Sequence, residues 1–294
     1  MIKAYKFIQT REKLIKILFI LCATFSIIAL VTITVFLAIN GIPFIAKTGI
    51  KDFLFSTKWG PLNATPTYGI LSMIVCSLYV TALSVLFGVG IGLFTAIALY
   101  KFVPKKFVGI ISYTINLLAG IPSVIYGLFG AEIIVPFLQD YVSTTGVGYG
   151  IFATSIVLAI MILPTIVSVS LDSLRSVPKQ YYENALALGA TKEQSVFKVV
   201  VPSAKSGILA GVVLAIGRAI GETMAVIMVI GNSPSMPKSL FQSTRTMTAN
   251  IALGAMEMSG DALKALIATG VILFVFVLLL NLSFSLLKEK REIK

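Results

Sequence analysis

Six stretches of this sequence, at roughly 17–39, 70–99, 107–137, 151–171, 207–230 and 264–287, run for about twenty residues with almost no charge. A helix of that length just crosses the hydrocarbon core of a bilayer, and few other structures can bury so much apolar sequence. Charged residues make up only 12% of the chain and hydrophobic ones 57%. A soluble domain of this size carries about twice that charge. The expected fold class is therefore an all-α membrane protein of six transmembrane helices. The first apolar run follows Lys3, Lys6, Arg11, Lys13 and Lys16. It exceeds the 7–15 residues of a secretory leader and no A-x-A site follows it, so it reads as an uncleaved anchor. Residues 1–50 then comprise a basic tail and the first helix, and residues 51–294 hold the other five.

Orientation follows from the basic residues. Of the 24 Lys and Arg, 17 lie in the two termini, around 101–106 and in the loop 172–206. Six lie in the alternate connections (Lys47, Lys51, Lys58, Lys238, Arg245 and Lys264). The positive-inside rule puts the richer side, with both termini and the loop 172–206, in the cytosol. This distribution also explains the formal charge of +12 without nucleic acid. Histidine is absent, and Cys22 and Cys76 both lie in apolar runs. His-based triads, Cys/His metal centres and a disulfide framework are thereby excluded, and the chain does not read as an enzyme.

Two runs exceed a single crossing. Gly120-Ile121-Pro122-Ser123 reads as a break within the third, tolerated in lipid only where protein or a water-filled cavity satisfies the freed backbone groups. Gly88-Val89-Gly90-Ile91-Gly92 in the second lacks the context of a nucleotide loop and reads as a close-packing helix face. Trp59 and Tyr68 fit an interfacial aromatic belt.

The fifth run contains Gly217-Arg218-Ala219-Ile220-Gly221-Glu222-Thr223. Arg218 lies eleven residues beyond Gly207, about 16 Å along a helix and so near the bilayer centre. An arginine there costs on the order of 2.5–3.5 kcal/mol unless it faces protein or water. Glu222, one helical turn further on, shares its face. The pair then either holds the bundle together as an ion pair or works on a passing oxyanion. In the second case Arg218 offers planar donors and Glu222 keeps the site from trapping the ion. Ser123 and Thr223 are candidate linings of the same path, although hydroxyls in membrane helices usually bond their own backbone.

Between the fourth and fifth runs lies Glu183-Asn184-Ala185, then Gly189, then Val199-Val200-Val201-Pro202. The spacing resembles the EAA signature (E-A-A-x3-G-x9-I-x-L-P) of permease subunits in ABC importers, where this loop takes the push from an ATPase. Asn184, Val199 and Val201 are mild departures. A plain basic connector would explain the lysines but not Glu183, Ala185, Gly189 and Pro202 at this spacing.

Residues 119–130 (AGIPSVIYGLFG), 183–202, 217–232 (GRAIGETMAVIMVIGN) and 246–252 resemble one family further, the PstC-type permease of the bacterial phosphate ABC importer. So does the segment around Phe53-Leu54-Phe55 and Trp59. The resemblance implies a type I ABC importer permease (MetI-like) fold and a phosphate path that includes Arg218 and Glu222. It implies a PstA-like second permease, a PstB-like ATPase dimer docked at Glu183–Ala190, and a PstS-like phosphate-binding protein facing the connector 232–261. ATP and magnesium would bind the ATPase, leaving no cofactor on this chain. Ala185 and Gly189 would be small so that the docked surfaces can approach. Permeases for sulfate, molybdate or phosphonate remain alternatives, as does an ATP-independent carrier or channel.

Overall fold

The apolar runs fold as helices, but two of them do not cross in one piece. The computed structural model describes the backbone of residues 2–143 and 146–292, and the side chains of 12–143 and 146–283. The terminal Lys and Arg residues counted for orientation before 12 and after 283 lie outside the described side chains.

A long first helix, α1 (Ile2–Thr48), leads into the short α2 (Ile50–Phe55) and a two-stranded hairpin, β1 (Trp59–Gly60) and β2 (Thr67–Tyr68). Next come α3 (Leu71–Ile97), α4 (Lys105–Ala119), α5 (Ser123–Phe129), α6 (Val135–Tyr141) and α7 (Ile151–Ser176). The chain then makes four short turns of helix and one long one: α8 (Lys179–Ala187), α9 (Lys192–Ser195), α10 (Val201–Ser203), α11 (Lys205–Gly221) and α12 (Met224–Val229). It ends with α13 (Met247–Gly254) and α14 (Gly260–Glu292). Single π-helical turns at Ala98–Phe102, Gly130–Ile134 and Val196–Val200 extend α3, join α5 to α6 and join α9 to α10.

Five helical stretches among the described residues are long and apolar enough to cross a membrane: Glu12–Thr48, Leu71–Phe102, Ser123–Tyr141, Ile151–Ser176 and Gly260–Ser283. A sixth is made only if Lys192–Ser203 and Lys205–Gly221, bent by 68° at the break between them, count as one span. Two expected spans therefore need redrawing. The stretch 107–137 is not one helix: α4 ends at Ala119, and the crossing begins anew at Ser123 after Pro122, whose ring cannot continue a helix. The stretch 207–230 breaks at Glu222, which adopts an extended backbone (φ −68°, ψ 134°).

The centre of the bundle is the pairing of α3 with α7, and the glycines set its distance. A Cβ on Gly88 would fall 2.7 Å from Ile162 Cδ1, and one on Gly92 2.8 Å from Ile166 Cγ2. Gly90, on the opposite face, meets nothing within 4 Å. The small residues four apart are thus a packing face, as their spacing suggests. Gly92→Leu should destabilise the protein by about 1–3 kcal/mol, the usual cost of overpacking, while Gly90→Leu should not. Thermal unfolding of the detergent-solubilised protein checks this.

The belt residues prove more tightly held than a belt requires. Trp59 and Tyr68 are paired across the hairpin. Both pack on a cluster of Phe44, Ile45, Phe53, Ile70 and Met73, with the Tyr68 ring edge-on to Phe44 at 5.0 Å. The connector 232–261 also departs from expectation. Rather than facing outward throughout, it folds back as α13, with Met247, Ala249 and Asn250 almost wholly buried.

Candidate translocation and coupling sites

Two helix breaks lie close together inside the bundle. The short helix α5 begins after Pro122 and α12 begins after Thr223. They pack through Gly127, where a Cβ would lie 2.9 Å from Ala225 Cα and 2.7 Å from Met228 Sδ. Further along, Gly130 approaches Val229, so both helices start at a similar depth and run the same way. Tyr126 ties the first break shut by donating from its hydroxyl to Leu118 O at 2.6 Å.

Arg218 sits one turn before the second break, on the last turn of α11, and its side chain is exposed on the single chain. A Cβ on Gly217 or Gly221 would meet nothing within 4 Å, so the flanking positions are open. The expected pairing with Glu222 does not occur. The only ion pairs within 4.0 Å among the described residues join Asp261 to Lys47 and Lys264. The helix α11 stops at Gly221, a poor helix former, so Glu222 never occupies the next turn of Arg218's face.

Glu222 instead organises the break. Its Oε1 accepts from Ala225 N at 3.2 Å, and its carbonyl accepts from Thr248 Oγ1 at 3.0 Å. A carboxylate at the start of α12 is favourably placed against the helix dipole. Thr223 donates to Gly221 O at 3.2 Å, the self-directed bonding that membrane hydroxyls usually make. Ser123 opens α5, half-buried, with no hydrogen bond from its hydroxyl among the described residues. Sequence reasoning missed Thr248. It lies 26 residues from Glu222 in the chain, and a threonine in a polar connector carries no signal of that contact.

The loop 172–206 is a packed unit, not a slack connector. The helix α8 ends in a Schellman turn, with Ala190 N bonded to Ala185 O at 3.1 Å and Gly189 N to Leu186 O at 2.9 Å. Gly189 takes φ +85°, which glycine adopts without strain. A reciprocal capping box between Thr191 and Gln194 then starts α9. Val196, Val200 and Ala204 pack against Leu99, Leu171 and Leu174, and Lys101 lies 4.3 Å from the Tyr182 ring centroid. Pro202 is exposed, in the turn of helix before the 68° bend.

Glu183 and Gly189 are exposed, but Ala185 is buried. Its small side chain therefore serves packing within the chain; keeping a docked surface close is not a role for a buried methyl. Three apolar side chains of the same loop that sequence reasoning passed over are exposed: Tyr181 (50% exposed), Leu186 (40%) and Leu188 (90%). Leu188 stands almost wholly exposed outside every crossing stretch among the described residues. The only trace of this exposure in the sequence was apolar residues inside a polar loop.

This arrangement, a helical bundle with broken inner helices and a rigid loop outside it, is that of an importer permease. The chain belongs to the family of binding-protein-dependent transport system inner membrane components, which it matches over residues 88–292. It is accordingly a multi-pass membrane permease and not an enzyme, with the ATPase on a separate chain and no cofactor of its own. It is 38% identical to a probable ABC transporter permease protein, YqgH, of Bacillus subtilis, covering 92% of this chain and 89% of that one. It is 37% identical to the phosphate transport system permease protein PstC of Mesorhizobium japonicum (78% and 75% covered). With the PstC of Haemophilus influenzae the identity is 34% (96% and 94% covered). In fold it resembles the MetNI methionine ABC transporter in an inward-facing conformation, with a TM-score of 0.59 at 20% identity, over 75% of this chain and 97% of that one.

Proposed function

We propose that the chain is the PstC-like permease subunit of an ATP-driven importer for inorganic phosphate. A PstA-like permease shares the path, a PstB-like ATPase dimer docks on the loop 172–206, and a PstS-like protein delivers phosphate from outside. Both termini and that loop face the cytosol. Residues 51–294 form the permease domain, with residues 1–50 as tail and first helix.

The observation that carries this reading is Arg218. It is exposed on the single chain at a helix break, with no carboxylate in ion-pair range among the described residues. A cation so placed in a membrane must face a partner subunit or water, and its planar donors suit a tetrahedral oxyanion. Glu222, held at the start of α12, sets a negative charge nearby that favours release. Ser123 and Thr223, each at the start of a short helix, line the path. Glu183, Ala185, Gly189 and Pro202 belong to the coupling unit: the first is its exposed charge, the next two shape its turn, and the proline precedes the bend into α11.

The test is reconstitution with the other permease, the ATPase and the binding protein in vesicles. Uptake of radiolabelled phosphate should require ATP and be unaffected by excess sulfate or molybdate. Uptake of sulfate in place of phosphate would reassign the substrate, and uptake without ATP would sink the coupling.

A further inference from the structure

Arg245 is a second arginine with no carboxylate partner. It lies in the connector after α12 and is half-buried, and no ion pair within 4.0 Å involves it among the described residues. Two asparagines hold its guanidinium: Nε donates to Asn232 O at 2.8 Å and one terminal nitrogen to Asn250 Oδ1 at 3.1 Å. Burial pulls its pKa below the ordinary arginine range, and the Glu257 carboxylate acts more weakly in the other direction. Arginine stays charged regardless. A guanidinium carries five N–H donors and these bonds use two, so three donors have no protein acceptor among the described residues, and Glu257 acts on the charge only from beyond ion-pair range.

Both asparagines also have a polar atom left over. Asn250 is 1% exposed, and its Nδ2 has no acceptor. Asn232, held at φ 64°, spends its Nδ2 on Ile227 O at 2.7 Å, and its Oδ1 is buried without a donor. A buried polar atom left unpaired forfeits its hydration with nothing in return. Two of them on the residues that hold a cation with no carboxylate in ion-pair range describe a complementary ligand. It is negatively charged, offers oxygen acceptors to Arg245 and Asn250 Nδ2, and supplies one hydroxyl donor to Asn232 Oδ1. Hydrogen phosphate has all three properties; sulfate at neutral pH has no proton to give.

We propose that Arg245, Asn250 and Asn232 form a second oxyanion station, selective for an oxyanion that keeps a proton. It lies on the binding-protein side of Arg218 and rests on the reading of this chain as a phosphate permease. The station joins the first through α13, whose Thr248 bonds the carbonyl of Glu222. The leftover atoms are shut off from solvent here, so the ion enters only when the connector parts from the helices beneath it. That is the behaviour of a carrier that opens to one side at a time.

Asn250→Asp tests this. It keeps the oxygen that Arg245 grips and strengthens that grip, but places a negative charge where the anion would sit. In vesicles holding the complete complex, maximal phosphate uptake should fall at least roughly tenfold, the loss of one charge-assisted contact. The melting temperature of the solubilised complex should not fall. Phosphate should stabilise the wild-type complex against heat more than sulfate does. Wild-type uptake by Asn250→Asp, or equal stabilisation by the two ions, overturns the station. Should that variant fail to assemble, Arg245→Lys must retain more uptake than Arg245→Gln, and equal loss in both would leave Arg245 a mere clamp. A wild-type complex that moves no phosphate at all would instead refute the transport reading itself.

Discussion

Arg218→Gln is expected to lower phosphate uptake by roughly ten- to a hundredfold while the permease still inserts and still binds its ATPase. The lower bound follows from the 1.5–3 kcal/mol typical of a hydrogen bond to a charged group. Folding should tolerate the change, because Arg218 makes no hydrogen bond or ion pair among the described residues and its side chain is exposed on the single chain. Removing a charge from the membrane even relieves an insertion cost. Uptake assays, with immunoblots of the membrane fraction and co-purification of the ATPase, separate the outcomes. Loss of ATPase docking in this variant would show that the arginine holds the assembly together instead of meeting the ion. Glu222→Gln should behave differently, since the amide oxygen can still cap α12 while the negative charge that favours release is gone.

Glu183→Lys should abolish uptake without harming the fold. Glu183 is exposed on α8 and makes no hydrogen bond or ion pair among the described residues. A substitution at such a site changes stability by about 0.5 kcal/mol or less, so lost transport cannot be blamed on unfolding. Gly189→Trp should abolish uptake as well, for a different reason. At φ +85° any side chain is strained by roughly 1–2 kcal/mol, and the bulk of the indole would project from the surface that bears Leu188. Gly189→Ala separates the two effects: it pays the strain but adds little bulk, and a Cβ there meets nothing within 4 Å. If strain of the turn alone matters, Ala and Trp should be equally defective; if docking matters, Ala should retain substantial uptake. ATP hydrolysis by the assembled complex, measured with and without the loaded binding protein, reports whether the two halves still communicate. Full uptake by Glu183→Lys would remove the coupling role.

Much of this was legible before any coordinates. Apolar length placed four of the crossings, because a bilayer imposes a length on whatever spans it, while 107–137 and 207–230 are divided by their breaks. The glycines four apart on α3 read as a packing face and are one. Gly120 to Ser123 read as a break, because proline's ring forbids the alternative. These features are local, and local rules of backbone geometry suffice for them.

The misreadings share a cause. Arg218 and Glu222 were paired by counting along a helix that ends between them, and whether a helix ends at a glycine depends on what can satisfy the freed backbone. Here the hydroxyl of Thr248 takes the carbonyl of Glu222 from 26 residues away. Ala185 looked like a contact surface and is buried, because helical periodicity gives a face but not what covers it. The connector 232–261, expected to face a binding protein, also supplies α13 to the interior. Sequence order alone determined that this chain lives in a membrane, where it turns and which residues are anomalous there. Only the folded chain decided which anomalies meet, since contacts between distant segments depend on how whole helices pack and leave no periodic trace along the chain.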